Sequence, residues 1–434
     1  MKKISIIFPI IFVLNSSLFG QNLTLKEKAV EKFKEEQYKE AIEILEKAVL
    51  ESPDDYEIYY YLGWYNHYLA YDSRPLKGYD FGHSEKIFFY LDKALKLNPN
   101  YGDAKYFYGA ECSGNAFNAM QNYDLEKLKF FYKLAFDKGA YPSWLIELGK
   151  NLLNSCPPNS IFFAGGNADF DVCSYLQLHQ NFRKDITVIP IGNLDRPWYV
   201  EFLKYGLKDG VKPITLSLTK NQIYDIHPFK WDTTTIDILI PQNDIEKFNL
   251  SNTYKLRWQV SPDLSSNRLH SKMSGENIKN RTYLSPQKAI LLQIIEENYS
   301  MRPICFSNFC NPFFLNGLEK YLTNWGLISK LIPVDSKVYN IQNDYSEMEK
   351  LIRSENLQNY SDIIVNELPR ISGLTFIYSE TLYLLATEYS IKNEKGKLKN
   401  LINFYDKYLR IGFNKETEKY YSDELEKLES NSDK

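Results

Sequence analysis

The sequence predicts a three-part chain: an N-terminal helical solenoid, a central α/β domain with a mostly parallel sheet, and a C-terminal helical segment. Helical spacing of small and large apolar residues recurs over 21–155, whereas short apolar runs alternate with helical ones over 156–335. Purely helical spacing then returns over 336–434. A strand, helix, strand, helix order is the signature of a parallel sheet, so the middle part carries the α/β expectation.

Before these parts stands "MKKISIIFPIIFVLNSSLFGQN", with two lysines, an apolar run over 4–14, and small and polar residues leading to Gly20. This pattern reads as a secretory signal peptide over 1–20. The apolar run is about half of the roughly 20 residues that span a bilayer, so no stable membrane insertion is expected after cleavage. No Cys stands near Gly20 to accept a lipid. The mature chain is therefore expected in the periplasm or the medium.

The formal charge is -3, from 52 basic and 55 acidic residues, and removal of Lys2 and Lys3 makes it more negative. That balance argues against a nucleic-acid partner, since such proteins usually display a basic face. The five cysteines are odd in number and scattered, so no disulfide scaffold is indicated, although export could oxidise Cys305 with Cys310. The absence of CxxC and HExxH leaves no metal and no cofactor expected.

In "YKEAIEILEKAVLESPDD", Tyr38, Ala41, Leu45, Ala48 and Pro53 occupy small, large and helix-stopping positions. "IFFYLDKALKLNPN" repeats them as Leu91, Ala94 and Pro99 after an insert, "YDSRPLKGYDFGHS". A degenerate third copy joins Tyr108 and Gly109 to Tyr132 and Ala135, with Gly139 as its stop. Small Ala lets two helices approach, Leu fills the gap, and Pro ends the helix. These residues resemble tetratricopeptide repeats, whose unit is about 34 residues. The resemblance implies a curved array whose concave side takes a protein partner. Within the aromatic run from Tyr56 to Tyr68, Tyr60 and Trp64 are the candidate groove residues. Packing between helices is the competing explanation for the same stripe.

Consecutive prolines at Pro157 and Pro158 end the helical pattern. Strands are expected at 161–164, in "DITVIPI" from Asp185, at 303–306 and in "LISKLIPV" from Leu327. Helices are expected at 169–182, at 197–205 with Pro at its first turn, and after Ser285-Pro286. Parallel strands with crossover helices place their following loops on one sheet edge, where open α/β sheets bind ligands. The candidate binding residues are therefore Gly165, Gly166, Asn167 and Asp169 from the first loop, Asn193, Asp195 and Arg196 from the second, and Asn308 from the third. Arg196 suits a phosphate or a carboxylate. Asp169 and Asp195 equally suit helix caps, and loop Asn and Gly suit turns. "GGNAD" is not GxGxxG and lacks the lysine of a phosphate loop. His179 and His227 read as surface or core histidines, and no Ser-His-Asp or Cys-His arrangement emerges from the spacing.

"SIFFAGGNADFDVCSYLQ", "RKDITVIPIGNLDRPWYVEFLK", "ILLQIIEENYSMRPICFS" and "NGLEKYLTNWGLISKLIPV" resemble, in the same order, the soluble C-terminal region of bacterial protein O-mannosyltransferase-like membrane proteins. Gly166, Asp169, Tyr175, Leu176 and Gln177 match that family's strand-end acidic cluster and following helix, as do Pro197-Trp198-Tyr199 and Arg302-Pro303-Ile304. Asn167 and Ala168 depart from its Asp and Asn. Transfer in that family is expected from a multi-pass half that this sequence does not carry, so the resemblance implies recognition. The expected function is binding and scaffolding: a protein partner through the repeats, and a glycan or sugar phosphate at the α/β loops. The alternative is an enzyme or accessory subunit of extracytoplasmic glycan processing.

Overall fold

The computed structural model describes residues 23–71, 79–265, 281–360, 368, 370–410 and 415–432. The expected signal peptide and much of the expected insert lie outside them. Thr24 opens α1 (Leu25–Lys34) with a reciprocal cap, accepting from the Glu27 N–H while Glu27 accepts from its own. There follow α2 (Tyr38–Glu51), α3 (Tyr56–Ala70), α4 (Ser84–Leu97), α5 (Gly102–Gln121), α6 (Leu125–Asp137) and α7 (Ser143–Ser155). Each helix from α1 to α5 packs against the one that follows it. Of the residues singled out by spacing, Ala41, Leu45 and Ala48 in α2 and Leu91 and Ala94 in α4 are buried, while Tyr38 is only half-buried; Ile42 and Ile87 are buried beside them. Both helices stop two residues before Pro53 and Pro99. Where α3 meets α4, a Cβ on Gly63 would lie 2.6 Å from the Leu91 side chain, so the glycine sets the approach of the pair.

The α/β part runs β1 (Ile161–Ala164), α8 (Asn167–Gln180), β2 (Thr187–Pro190), a 3-10 turn (Ile191–Asp195) and α9 (Pro197–Tyr205). The chain between α9 and α12 forms α10 (Lys220–Tyr224), β3 (Phe229–Lys230), β4 (Thr234–Ile238), α11 (Gln242–Lys247), β5 (Leu256–Val260), β6 (Leu264–Ser265) and β7 (Arg281–Leu284). Next come α12 (Pro286–Asn298), β8 (Ile304–Ser307), β9 (Leu322–Asn324) and β10 (Ile328–Leu331). The main sheet has the order β2-β1-β8-β10-β9. β1 pairs in parallel with both β2 and β8.

The fourth expected strand is present, but it runs antiparallel to both β8 and β9. A tight turn through Gly326, at φ 100°, joins β9 to β10, and no crossover helix separates β8 from β10. The mostly parallel expectation therefore holds for the β2-β1-β8 half alone. Two antiparallel sheets, β4-β5 and β3-β7-β6, stand where sequence spacing assigned no element.

The C-terminal part contains α13 (Tyr345–Leu351), α14 (Phe376–Ile391), α15 (Lys395–Phe404) and α16 (Lys415–Ser432). The expected helix in "SDIIVNELPRI" falls largely outside the described residues. One continuous core runs from Tyr60 through the sheet to Leu425, while the start of the array has a smaller core of its own around Ala41 and Leu62. Helices α6 and α7 both pack on α8, which ties the array to the sheet. Among the described residues no helix is long and apolar enough to cross a membrane.

All five cysteines are free and buried. Cys310 donates to the Phe163 carbonyl at 3.2 Å, and the thiol in contact with Cys305 is that of Cys156. The pair expected from sequence is thus not the pair the fold brings together.

Candidate functional site

β1 is buried along its whole length, and the chain leaves it at Gly165 directly beneath the loop after β8. A Cβ at Gly165 would lie 2.4 Å from the Phe309 carbonyl carbon, so only glycine fits. Gly165→Ala is expected to cost about 2–4 kcal/mol through forced backbone displacement, read as a lower urea midpoint. A midpoint within 0.5 kcal/mol of wild type, on the scale of a neutral surface change, would contradict this packing.

Asp169 sits one turn into α8 with 1% of its surface exposed. Its two carboxylate oxygens accept the Gly165 N–H at 2.8 Å and the Gly166 N–H at 2.9 Å. Burial raises its pKa, and these two donors oppose the rise. Gly165, Gly166 and Asp169 thus form a structural clasp that turns the chain from strand into helix.

Beyond the clasp, Asn167 faces a cavity of about 570 Å³ between the helical array and the sheet edge. The second loop reaches the same cavity: Asn193, Asp195 and Arg196 line it with Trp198. Asp195 accepts from Gln287 Nε2 at 2.7 Å; burial raises its pKa, opposed by the Arg196 charge. The Arg196 side chain has no hydrogen-bond or ion-pair partner among the described residues, leaving a guanidinium available at the cavity wall. The opposite wall comes from the array and is aromatic, with Tyr71, Tyr106 and Phe117 among its members.

Asn308 does not join this group. Its amide nitrogen donates to Gly326 O at 2.6 Å and Asn324 Oδ1 at 3.2 Å, and its oxygen accepts from Ser329 Oγ at 2.7 Å. It holds the β9-β10 turn and lines a second cavity of about 300 Å³ beside Phe376 and Glu380 of α14. The cause is topological: β8 is followed by antiparallel strands, so its loop folds over the sheet end instead of entering a crossover helix.

Two acids in or behind the cavity wall escaped the spacing argument. Asp171 follows Asp169 by two positions, about 200° around a helix, so one faces the clasp and the other the array. Ser113 Oγ and Tyr132 Oη donate to Asp171 Oδ1 at 3.0 and 3.2 Å, and burial pushes its pKa up to about 7. Glu111, fully buried, is the hub of the second group. It accepts from the Tyr79 hydroxyl, from Ser84 Oγ at 2.5 Å and from Asn115 Nδ2 at 3.0 Å, and it meets His67 Nδ1 at 2.8 Å. His67 and Tyr79 line the cavity. Their separation in sequence left no motif to find; the only local signal was the pair of acids following "GGNA".

Tyr60 is 2% exposed, and its hydroxyl accepts from Arg370 Nη2 at 3.0 Å. The same guanidinium lies 4.8 Å over the Trp64 ring and 3.3 Å from Asp103 Oδ1. The two candidate groove residues are thus covered by the chain's own C-terminal part, and a partner reaching them must displace Arg370.

Residues 145–256 match the family model TMEM260-associated domain 2. The matched stretch runs from α7 to the first residue of β5 and contains Asn167, Asp171, Asn193, Asp195, Arg196 and Trp198. It leaves out the array residues of the opposite wall. No curated protein and no solved structure matches the chain.

Proposed function

We propose that the protein is an extracytoplasmic binding protein that holds a glycan in the cavity between its helical array and its α/β part. The observation that carries this reading is the cavity's lining. Aromatic rings of Tyr71, Phe117 and Trp198 share it with the amides of Asn167 and Asn193 and with Arg196. Flat apolar faces beside a few convergent polar groups suit a molecule with C–H faces and ringed by hydroxyls. The resemblance of this region to the soluble part of O-mannosyltransferase-like proteins supports the same ligand class, and the signal-like N terminus supports export to the periplasm or medium. The tetratricopeptide resemblance supports a protein partner on the array. A second reading, an enzyme or accessory subunit of glycan processing, draws on Asp171 and on the His67–Glu111 pair.

The test is a thermal-shift screen of the exported protein against envelope glycans and sugar phosphates. A ligand at 100 times its dissociation constant adds about 2.7 kcal/mol to stability. Arg196→Ala, at the cavity wall, is expected to leave the unliganded midpoint nearly unchanged and to remove the shift; Trp198→Ala, whose ring packs on Phe117 and Tyr199, is expected to lower the midpoint as well as remove the shift. No shift from any glycan, or a shift that both variants retain, would count against the cavity.

A further inference from the structure

Of the two carboxylates that line the cavity, Asp195 is the half-buried one and accepts a single donor, Gln287 Nε2, on Oδ2. Asp171, 6% exposed, takes both Ser113 and Tyr132 on Oδ1, and its Oδ2 has no hydrogen-bond partner among the described residues. This is a buried acid with one side fixed by two donors from α5 and α6 and the other side left to the cavity. We infer that Asp171 is the ligand-directed acid of the site, donating a hydrogen bond from Oδ2 to an oxygen of the bound sugar. The identity of the ligand rests on the glycan reading; the role of Asp171 rests on its own geometry.

The groups acting on Asp171 favour the proton-bearing form. Asp169 on the same helix opposes a second negative charge, and burial acts in the same direction. From α5 come Ser113, Tyr106, Glu111 and Cys112, from α6 Tyr132, and from the turn before α7 Tyr141. Of these, Glu111 is committed to its own donors, and the two hydroxyls on Oδ1 are the groups that favour charge. Arg196 with Asp195, and His67 held by Glu111, line the same cavity. A carboxyl in this setting offers an O–H near neutral pH, where ordinary surface carboxylates offer acceptors alone. The sequence position carries no such information, because the two donors come from helices about 40 to 60 residues upstream.

A water-soluble carbodiimide with glycinamide tests this without a known ligand. The reagent takes up a protonated carboxyl, and the amine then displaces the urea to leave an amide. Applied to the folded exported protein at pH 7, it is expected to modify Asp171 well ahead of Asp169, whose two oxygens are both occupied. Labelling should fall about tenfold per unit as the pH passes above neutrality. Peptide mapping reads both, and Asp171→Asn supplies the unlabelled control. An Asp171 that stays unmodified while surface acids react, or that reacts without this pH dependence, overturns the inference. A glycan shift with an unlabelled Asp171 keeps the glycan reading and removes this one; labelling without any glycan shift does the reverse.

Discussion

Arg302→Ala is expected to lower stability by about 3–5 kcal/mol, enough to leave much of the chain unfolded at moderate temperature. Arg302 is 8% exposed, and four of its five N–H donors go to neutral acceptors. Nε donates to Asn159 O at 2.9 Å, Nη1 to Pro213 O at 3.2 Å, and Nη2 to Ser160 O at 3.0 Å and Thr187 Oγ1 at 2.8 Å. The side chain thus ties the entry to β1, the first residue of β2 and the segment after α9 to the strand entry it precedes, β8. Burial pulls its pKa down to about 10, which still leaves it charged at neutral pH. Truncation would strip the Asn159 and Pro213 carbonyls of this donor in a site that water scarcely reaches, while Ser160 O keeps the Thr187 N–H at 3.0 Å. Lysine would keep the charge without the planar fork, so Arg302→Lys is expected to recover only part of the loss. Urea melts of both variants check this. Equal midpoints for wild type and Arg302→Ala would contradict it.

Asp171→Asn is expected to make the protein more stable at pH 8, with a smaller gain at pH 5. An aspartate of ordinary pKa about 3.9 when unfolded, raised to about 7 when folded, keeps its proton longest in the folded state. Between those values the folded chain holds a proton that the unfolded chain has released, so wild-type stability falls as pH rises from about 4 to about 7. Above that window the loss is complete and constant. Asparagine carries no charge to bury, and its oxygen can still accept from Ser113 and Tyr132. The advantage of the variant should therefore grow by about 2–3 kcal/mol between pH 5 and pH 8. Urea midpoints at the two pH values measure it; an advantage that does not change with pH would mean that Asp171 is charged throughout.

The parts of the fold that sequence spacing anticipated are those made by local periodicity. Ala41, Leu45, Ala48, Leu91 and Ala94 carry a helical repeat on their own elements, and each is buried between helices as that repeat demands. The short apolar runs that become β1, β2 and β8 were visible for the same reason, as were Pro197 and Ser285 at their helix starts. The direction of β10 was not visible, because direction depends on the turn at Gly326 and on which neighbour the strand meets. Of the small strands between α9 and α12, β3 and β6 are two residues long, too short to show a pattern, whereas β5 does alternate, with Leu256, Trp258 and Val260 buried and Arg257 and Gln259 exposed, and was passed over.

The site divides along the same line. Asn167, Asn193, Asp195 and Arg196 were legible because one topological rule brings two loops to one edge. Asp169 was legible twice over, as a ligand residue and as a cap, and its hydrogen bonds are those of the cap. Asn308 was placed by extending that rule to a strand whose continuation is antiparallel. Asp171 and Glu111 were hidden because burial and partners from three or four separate helices create their chemistry.

The proposal that the cavity holds a glycan is tested most directly by two-dimensional ¹H–¹⁵N NMR of the folded protein, titrated with a glycan that shifts its melting. The cavity account predicts saturable perturbation of the Trp198 indole N–H and of the Asn167 and Asn193 side-chain amides, lost together in Arg196→Ala. Saturable perturbations confined to the surface of α1 and α2, with the Trp198 indole unmoved, would contradict it.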